Sequence, residues 1–373
     1  MGWPIPELAV YPTRQRPRYW RWGLGLILLV MISIGIMLLF CSHIDTILFW
    51  GYSLGVPVLI WTISIAFTLT QYTYSALASE QYQQQNHAIV QAWQQWSQCQ
   101  IPVLGYHLIS AEQDTLKALT GEDIALYPYR ARPLFHSDNR RQIYWFLDEV
   151  MQRLEQQYPT YRYYLSHIYV PAVLMEDRDL TDAIFARWDL RAEPINDYDD
   201  VITTAIDNEA ELELSLLLVC QYTDIDFYGY SKFVSALLIS NTSFLTQQQL
   251  HAKAWLGRIM QTTLATIAED IRQLLIYNQL KATDLNRVWV SGVEKAAYQD
   301  LSIAINQINL AIIEKNTLRN IDETFAQPSL LTPYFISAIA CDASLQQQQP
   351  QLIIYYHQQH YYLQLITAQR LRS

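Results

Sequence analysis

The side chains whose neighbours come nearest to a chemical motif are Ser231, Cys220 and the pair His357 and His360. Ser231 stands in Gly229-Tyr230-Ser231-Lys232-Phe233, which opens like a nucleophile elbow after an apolar run. An elbow needs a second glycine two residues past the serine, so that its strained turn can pack against its neighbours. Phe233 fills that place, and no histidine is positioned in sequence to take the proton, so Ser231 reads as an ordinary serine. Cys220 lies inside the apolar run Leu212 to Tyr222 with no basic neighbour to favour its thiolate. A cysteine of that kind behaves as a small, inert hydrophobe. His357 and His360 have no carboxylate or cysteine close by to complete a metal site, and they read as exposed loop histidines.

The remaining polar patterns point the same way. Acidic runs occur at Glu176 to Asp179, Asp197 to Asp200 and Asp207 to Glu213, and none has the spacing of a calcium loop. They read as solvated loops and helix caps. No glycine-rich phosphate loop follows the anchor region, so no nucleotide cofactor is expected. The expected sets of catalytic, cofactor-binding and metal-ligating residues are therefore empty. The four cysteines, Cys41, Cys99, Cys220 and Cys341, form no C-x-x-C pair, in keeping with a reducing compartment.

The elements that carry these residues begin with two apolar stretches, Trp22 to Cys41 and Ile47 to Thr70, separated by Ser42-His43-Ile44-Asp45-Thr46. Neither contains a charged side chain, and each is long enough to cross the roughly 30 Å hydrocarbon core of a bilayer as a helix. So short a link can only turn back, which predicts a transmembrane hairpin. Arg14, Arg16, Arg18 and Arg21 precede the first stretch, while the link carries Asp45 and no cation. That bias places both flanks on the cytoplasmic side of a bacterial inner membrane. Trp22 and other aromatics fall near the expected interfaces. Pro57 predicts a kink in the second span, and Gly51-x-x-x-Gly55 offers a small surface for close helix packing or a dimer.

Composition bounds the rest. The chain has 373 residues and a formal net charge of −10. With the +3 before the first span and the −1 of Asp45 removed, the remainder carries −12. An acidic body does not suit nucleic acid, which requires basic patches, and it fits protein partners. The predicted organisation is a basic N-terminus over 1–21, a two-helix anchor over 22–70, a helical stalk over 71–98, and two α/β halves over 99–210 and 211–373.

Within the body, Ile101 to Ile109, Tyr163 to Leu174, Leu212 to Tyr222, Phe233 to Ile239 and Arg287 to Ser291 read as strands. Pro171 suggests that the second of these is an edge strand or is bulged. Asn139 to Tyr158, Leu180 to Trp188, Val201 to Glu209, Leu256 to Leu280, Lys295 to Gln307 and Pro328 to Ala340 read as helices. Gln351 to Tyr356 and Tyr361 to Thr367 predict a closing hairpin. Alternating strands and helices indicate a layered α/β domain.

The order of features from Leu214-Ser215-Leu216-Leu217-Leu218-Val219-Cys220 through Tyr230 to Leu238, then Asp270 to Leu275 and Thr283 to Gly292, resembles the thiolase fold and its ketosynthase members. The chain departs from them where chemistry is concerned: no cysteine opens a helix after a strand, and no glycine-flanked histidine stands in a loop. A membrane hairpin joined to such a body resembles the lipase-adapter proteins of bacterial type VI secretion systems. The resemblance implies a non-catalytic adapter that binds a secreted, lipase-like effector or its export machinery, with a homodimer as a further implication. An immunity protein against such an effector and an enzyme acting on lipid or acyl groups are the alternatives. Tyr161, Tyr163, Tyr164, Tyr228 and Tyr230 are the expected partner surface, since aromatics anchor interfaces.

Overall fold

The computed structural model describes residues 2–6, 8, 16–40, 45–121, 128–134, 139–207, 214–222, 229–285, 287–308, 318–327 and 329–371. It divides into two compact units, one of residues 6–92 and one joining residues 1–5 to 93–373.

The first unit contains helix α1 (Tyr19–Phe40) and most of helix α2 (Thr46–Ser97). By length and composition, both helices are able to cross a membrane. They meet through the Trp61 indole, whose Nε1 donates to the Trp22 carbonyl at 2.8 Å. Ser53 and Pro57 face inward, whereas Gly51 and Gly55 are exposed. Nothing in the chain lies within 4 Å of where a Cβ would stand on either glycine, so neither serves close packing of the two spans. The expected stalk is continuous with the second span as one helix, α2.

The second unit is a ten-stranded mixed sheet with helices on its faces. Its first half comprises β1 (Ile101–Ile109), α3 (Thr115–Thr120), α4 (Asn139–Gln157), α5 (Tyr161–Tyr164), β2 (His167–Pro171), α6 (Arg178–Trp188), β3 (Ala192–Ile195), α7 (Tyr198–Asp207), β4 (Leu214–Gln221), β5 (Phe233–Ser240) and α8 (Thr242–Gln248). The second half comprises β6 (Ala254–Thr262), α9 (Ile267–Tyr277), β7 (Arg287–Ser291), α10 (Lys295–Gln307), β8 (Leu318–Asn320), α11 (Ile321–Phe325), α12 (Thr332–Gln347), β9 (Gln351–His357) and β10 (His360–Thr367).

The strand order β3-β2-β4-β5-β1-β6-β10-β9-β7-β8 is a duplication. Numbered within each half, it reads 3-2-4-5-1 inward from each end. The pairings repeat as well. The fifth strand runs antiparallel to the first and fourth, and the second runs parallel to the third and fourth, in both halves. The halves join where β1 pairs antiparallel with β6 through Ile101, Pro102 and Val103. The repeat therefore divides near residue 250, not at 210, because β4 and β5 complete the first half.

The third helical connection of each half, α7 and α12, turns inward, and the Tyr198 hydroxyl of α7 meets the Ser337 hydroxyl of α12 at 2.9 Å. Helix α12 is apolar nearly all round and buried along most of its length, as a helix enclosed on every side must be. On the opposite face of the second half, α9 and α10 cover Val288, Val290, Leu352 and Leu363.

Several expected elements change. Leu256 to Leu280 was expected to be one helix, but it holds strand β6, a connection and helix α9. β6 is buried on both faces, and an apolar run of that kind carries no period to tell strand from helix. Tyr163 to Leu174 opens with the end of α5 and becomes strand only at His167. Pro171 is not on an edge strand, since β2 lies between β3 and β4. The proline stands beyond the last described β4 pair, Tyr169 with Leu217, and at the end of the β3 ladder, opposite Ile195, where a missing N–H costs the sheet least.

Candidate functional site

In open α/β sheets, ligands bind beyond the carboxyl ends of the parallel strands. Two cavities occupy that position here, and they are counterparts under the duplication. The first, about 100 Å³, lies beyond β2 and β3 at Ala172, Val173 and Asn196, and is closed by His357 and Gln358 of the β9–β10 turn. The second, about 410 Å³, lies beyond β7 and β8 at Gly292, Val293 and Asp322, and is closed by Gly229 and Tyr230 between β4 and β5. Each cavity is floored by one half and closed by the other half's last hairpin.

The smaller cavity is lined by the chain's own aromatics. Tyr198 opens α7 and lies edge-on to Tyr334 at 5.0 Å. Behind them, the Tyr355 hydroxyl donates to Asp199 Oδ1 at 2.5 Å, and Tyr355 stacks on Tyr362. Burial pushes the Asp199 carboxyl up to about 7; the Tyr355 hydrogen bond opposes that rise, and the neighbouring Asp197 and Asp200 add to it. His357 is buried, and burial lowers its pKa against the pull of Asp197. His357 was expected to be an exposed loop histidine. The hairpin turn is only Gln358-Gln359, both with positive φ, so His357 is already in the ladder opposite His360.

The larger cavity is more open and more varied. Asp322 is buried beneath it, accepting from the Ser291 hydroxyl at 2.6 Å and the Gly292 N–H at 2.7 Å. Burial raises its carboxyl to about 6, against the effect of those two bonds. Ala326 sits beside it at φ 61° and ψ 171°, a region that side chains other than glycine avoid. Ser231 holds that conformation, donating its hydroxyl to the Ala326 carbonyl at 3.0 Å and its N–H to the Gln327 carbonyl at 3.2 Å. Tyr129, Tyr230, Glu294 and Lys295 line the walls and mouth.

Ser231 is thus buried and committed to backbone, in line with its reading as an ordinary serine. Cys220 and Cys341 are fully enclosed, and burial pushes both thiols up, away from the reactive thiolate. Cys99 is partly exposed and donates to the Gln95 carbonyl at 3.3 Å. Cys41 lies outside the described residues. Among the described residues, no group of three or more His, Cys, Asp or Glu is placed to hold a metal.

The expected tyrosine surface divides. Tyr161 is buried, with its hydroxyl accepting from the Trp188 indole at 2.8 Å, so it belongs to the core and not to a surface. Tyr163 is 89% exposed, and Tyr164 is partly exposed against the Phe244 ring. Tyr230 is exposed at the larger cavity, whereas Tyr228 lies outside the described residues. The acidic runs divide too. Asp177 caps α6, accepting from the N–H groups of Asp179 and Leu180, as a cap should. Asp199 departs from the expected solvated loop. Neither Asp199 nor Asp322 was expected as a site residue, because the partners that define them are distant in sequence.

No family model matches the chain, and no curated protein matches it. Solved structures do. A chain from the complex of a type II polyketide-synthase acyl-carrier protein with its ketosynthase matches at TM-score 0.50 and 10% identity, over 72% of this chain and 99% of that one. A ketosynthase domain for oxazolomycin from Streptomyces albus JA3453 matches at TM-score 0.51 and 10% identity, over 74% and 96%. A peroxisomal 3-ketoacyl-CoA thiolase of Saccharomyces cerevisiae is matched more loosely, at TM-score 0.47 and 10% identity, over 73% and 98%. At these identities the likeness is one of fold: the body is a layered α/β domain like that of the ketosynthases.

Proposed function

We propose that the chain is a membrane-anchored, non-catalytic adapter. Its body, on the cytoplasmic face of a bacterial inner membrane, binds a secreted lipase-like effector or part of the export machinery, as the resemblance to type VI lipase adapters implies. One observation carries the non-catalytic part. At the carboxyl ends of the first half, α7 opens on Tyr198, and Tyr198 and Tyr334 line a cavity of only about 100 Å³. The nucleophiles weighed from the sequence, Ser231 and Cys220, are held in structural roles elsewhere. Tyr163 and Tyr230 supply exposed aromatics for a partner, and the exposed Gly51 and Gly55 offer a face to a second copy.

The test is affinity purification of the full chain from detergent-solubilised native membranes. Stoichiometric recovery of a lipase-like protein or a secretion component, reduced by Tyr163→Ala or Tyr230→Ala, supports the adapter. Recovery of the chain alone, with the secretion machinery expressed, rejects it.

A second reading, an enzyme acting on acyl groups beside the membrane, is favoured by Asp322 under the larger cavity, whose carboxyl burial raises to about 6. Acyl-ester or thioester turnover by the purified chain that is lost in Asp322→Asn would establish it.

A further inference from the structure

We propose that Arg287 and Arg319 form a binding site for a phosphate-type oxyanion, carried either by a soluble ligand or by a lipid headgroup.

The parallel register of β7 and β8 sets Arg319 opposite Trp289. Arg287 is two residues from Trp289 and so lies on the same face of the sheet. Its guanidinium carbon stands 5.8 Å from the centre of the Trp289 ring. The two arginines and the buried indole thus share one patch of sheet, beside the outermost strand, β8. Among the described residues, no further strand pairs with β8 on its outer edge.

The patch has positive charge, and nothing among the described residues balances it. Among the described residues, neither guanidinium is in salt-bridge reach of a carboxylate, although the chain carries 35 acidic residues against 25 basic ones. Other arginines of the body are matched: Arg258 with Asp207, Arg187 with Asp148, Arg162 with Glu155. Arg287 Nη1 and Arg319 Nε are shut off from solvent and have no hydrogen-bond acceptor. The amide oxygen of Gln351, which is paired with Arg287 across the sheet, already accepts from the Trp289 indole at 3.1 Å. Burial, and then the charge of Arg319, lower the pKa of Arg287.

A guanidinium stays charged in a protein, so this repulsion is not relieved by losing a proton. Buried arginines are rarely left unpaired. An oxyanion answers both needs: its charge offsets two cations, and its oxygens accept forked hydrogen bonds from the accessible edges of both guanidiniums. Half-burial beside an indole weakens competition from water and salt. This inference does not depend on the adapter reading.

The test is a thermal-unfolding titration of the full chain in a neutral detergent with inorganic phosphate, using chloride at matched ionic strength as reference. The expected result is a saturable rise in Tm with phosphate alone. Arg287→Gln and Arg319→Gln should each weaken its midpoint roughly tenfold or more, as loss of a charged fork requires. Should either variant fail to fold, the lysine substitution at that position keeps the charge and removes the fork, and should weaken phosphate in the same direction. A rise shared equally with chloride, or one left intact by both substitutions, overturns the site.

Reconstitution separates the two sources. If nanodiscs of phosphatidylcholine with phosphatidylglycerol abolish the phosphate response seen in phosphatidylcholine alone, a headgroup is the occupant. If the response persists in both, the occupant is a soluble anion.

Discussion

Trp3 and Trp96 meet edge to face, their ring centroids 5.2 Å apart and their planes at 83°, although the whole apolar hairpin separates them in sequence. The Trp3 indole also donates to the Ile259 carbonyl at 3.4 Å, and Arg258 covers Trp96 at 4.3 Å. The residues before the hairpin and those after it therefore build one core. The chain thus leaves this body before the two apolar helices and rejoins it after them.

Trp3→Ala should destabilise the body by about 3 kcal/mol, near the low end for a buried tryptophan because the neighbouring Pro4 and Pro6 are exposed. Thermal unfolding in detergent reads this. If the two apolar helices cross a membrane, the same geometry predicts that cysteines placed at the exposed Pro4 and Gln369 are labelled from one side, and one at Asp45 from the other. Labelling of Pro4 and Gln369 from opposite sides would refute the shared core.

Asp199 makes stability depend on pH with an unusual sign. Its carboxyl titrates near 7 in the folded chain, against an ordinary value of 3.8. Between those values the unfolded chain binds fewer protons than the folded one, so this group's contribution falls as pH rises from about 4 to 7. The ceiling on that loss is about 4 kcal/mol. Asp199→Asn keeps an acceptor for Tyr355 and removes the titration. The difference in Tm between variant and wild type should grow in the variant's favour across that window; a constant difference would show that Asp199 titrates normally.

Gly292→Ala should cost at least about 2 kcal/mol. The glycine has φ +78°, and a Cβ would stand 2.7 Å from the Tyr356 carbonyl oxygen, which is part of a strand and cannot swing away. Denaturant unfolding of the variant measures the cost, and a loss below 0.5 kcal/mol would mean that the strand yields.

Asp177→Ala removes the cap of α6 and the acceptor of the Tyr222 hydroxyl, which lies 2.8 Å from Asp177 Oδ2. The expected loss is about 2 kcal/mol. Tyr222→Phe removes only the second part, so the double variant should be no less stable than Asp177→Ala alone.

What the sequence makes legible follows from how local each signal is. β1, β7 and α10 run over the expected residues, because an alternating or buried apolar run, or an amphipathic stripe, is contained in its own few residues. β3 and β8 went unseen: Ala192–Ile195 and Leu318–Asn320 are short strands at the two sheet edges, and the first is largely exposed. Asp199 and Asp322 gave no sign because their character comes from Tyr355 and Ser291, which only the fold brings near. Tyr161 looked like its exposed neighbour Tyr163, since a single turn of helix carries too little pattern to tell inside from outside.

β10 ends at Thr367 yet lies between β6 and β9, near the middle of the sheet. During synthesis, the parallel trio β7, β8 and β9 has no rung linking it to the rest until β10 leaves the ribosome, long after both apolar helices have done so. The two halves are consequently joined late. A chain interrupted before His360 would expose two raw sheet edges, on β6 and on β9, each a template for pairing with other chains.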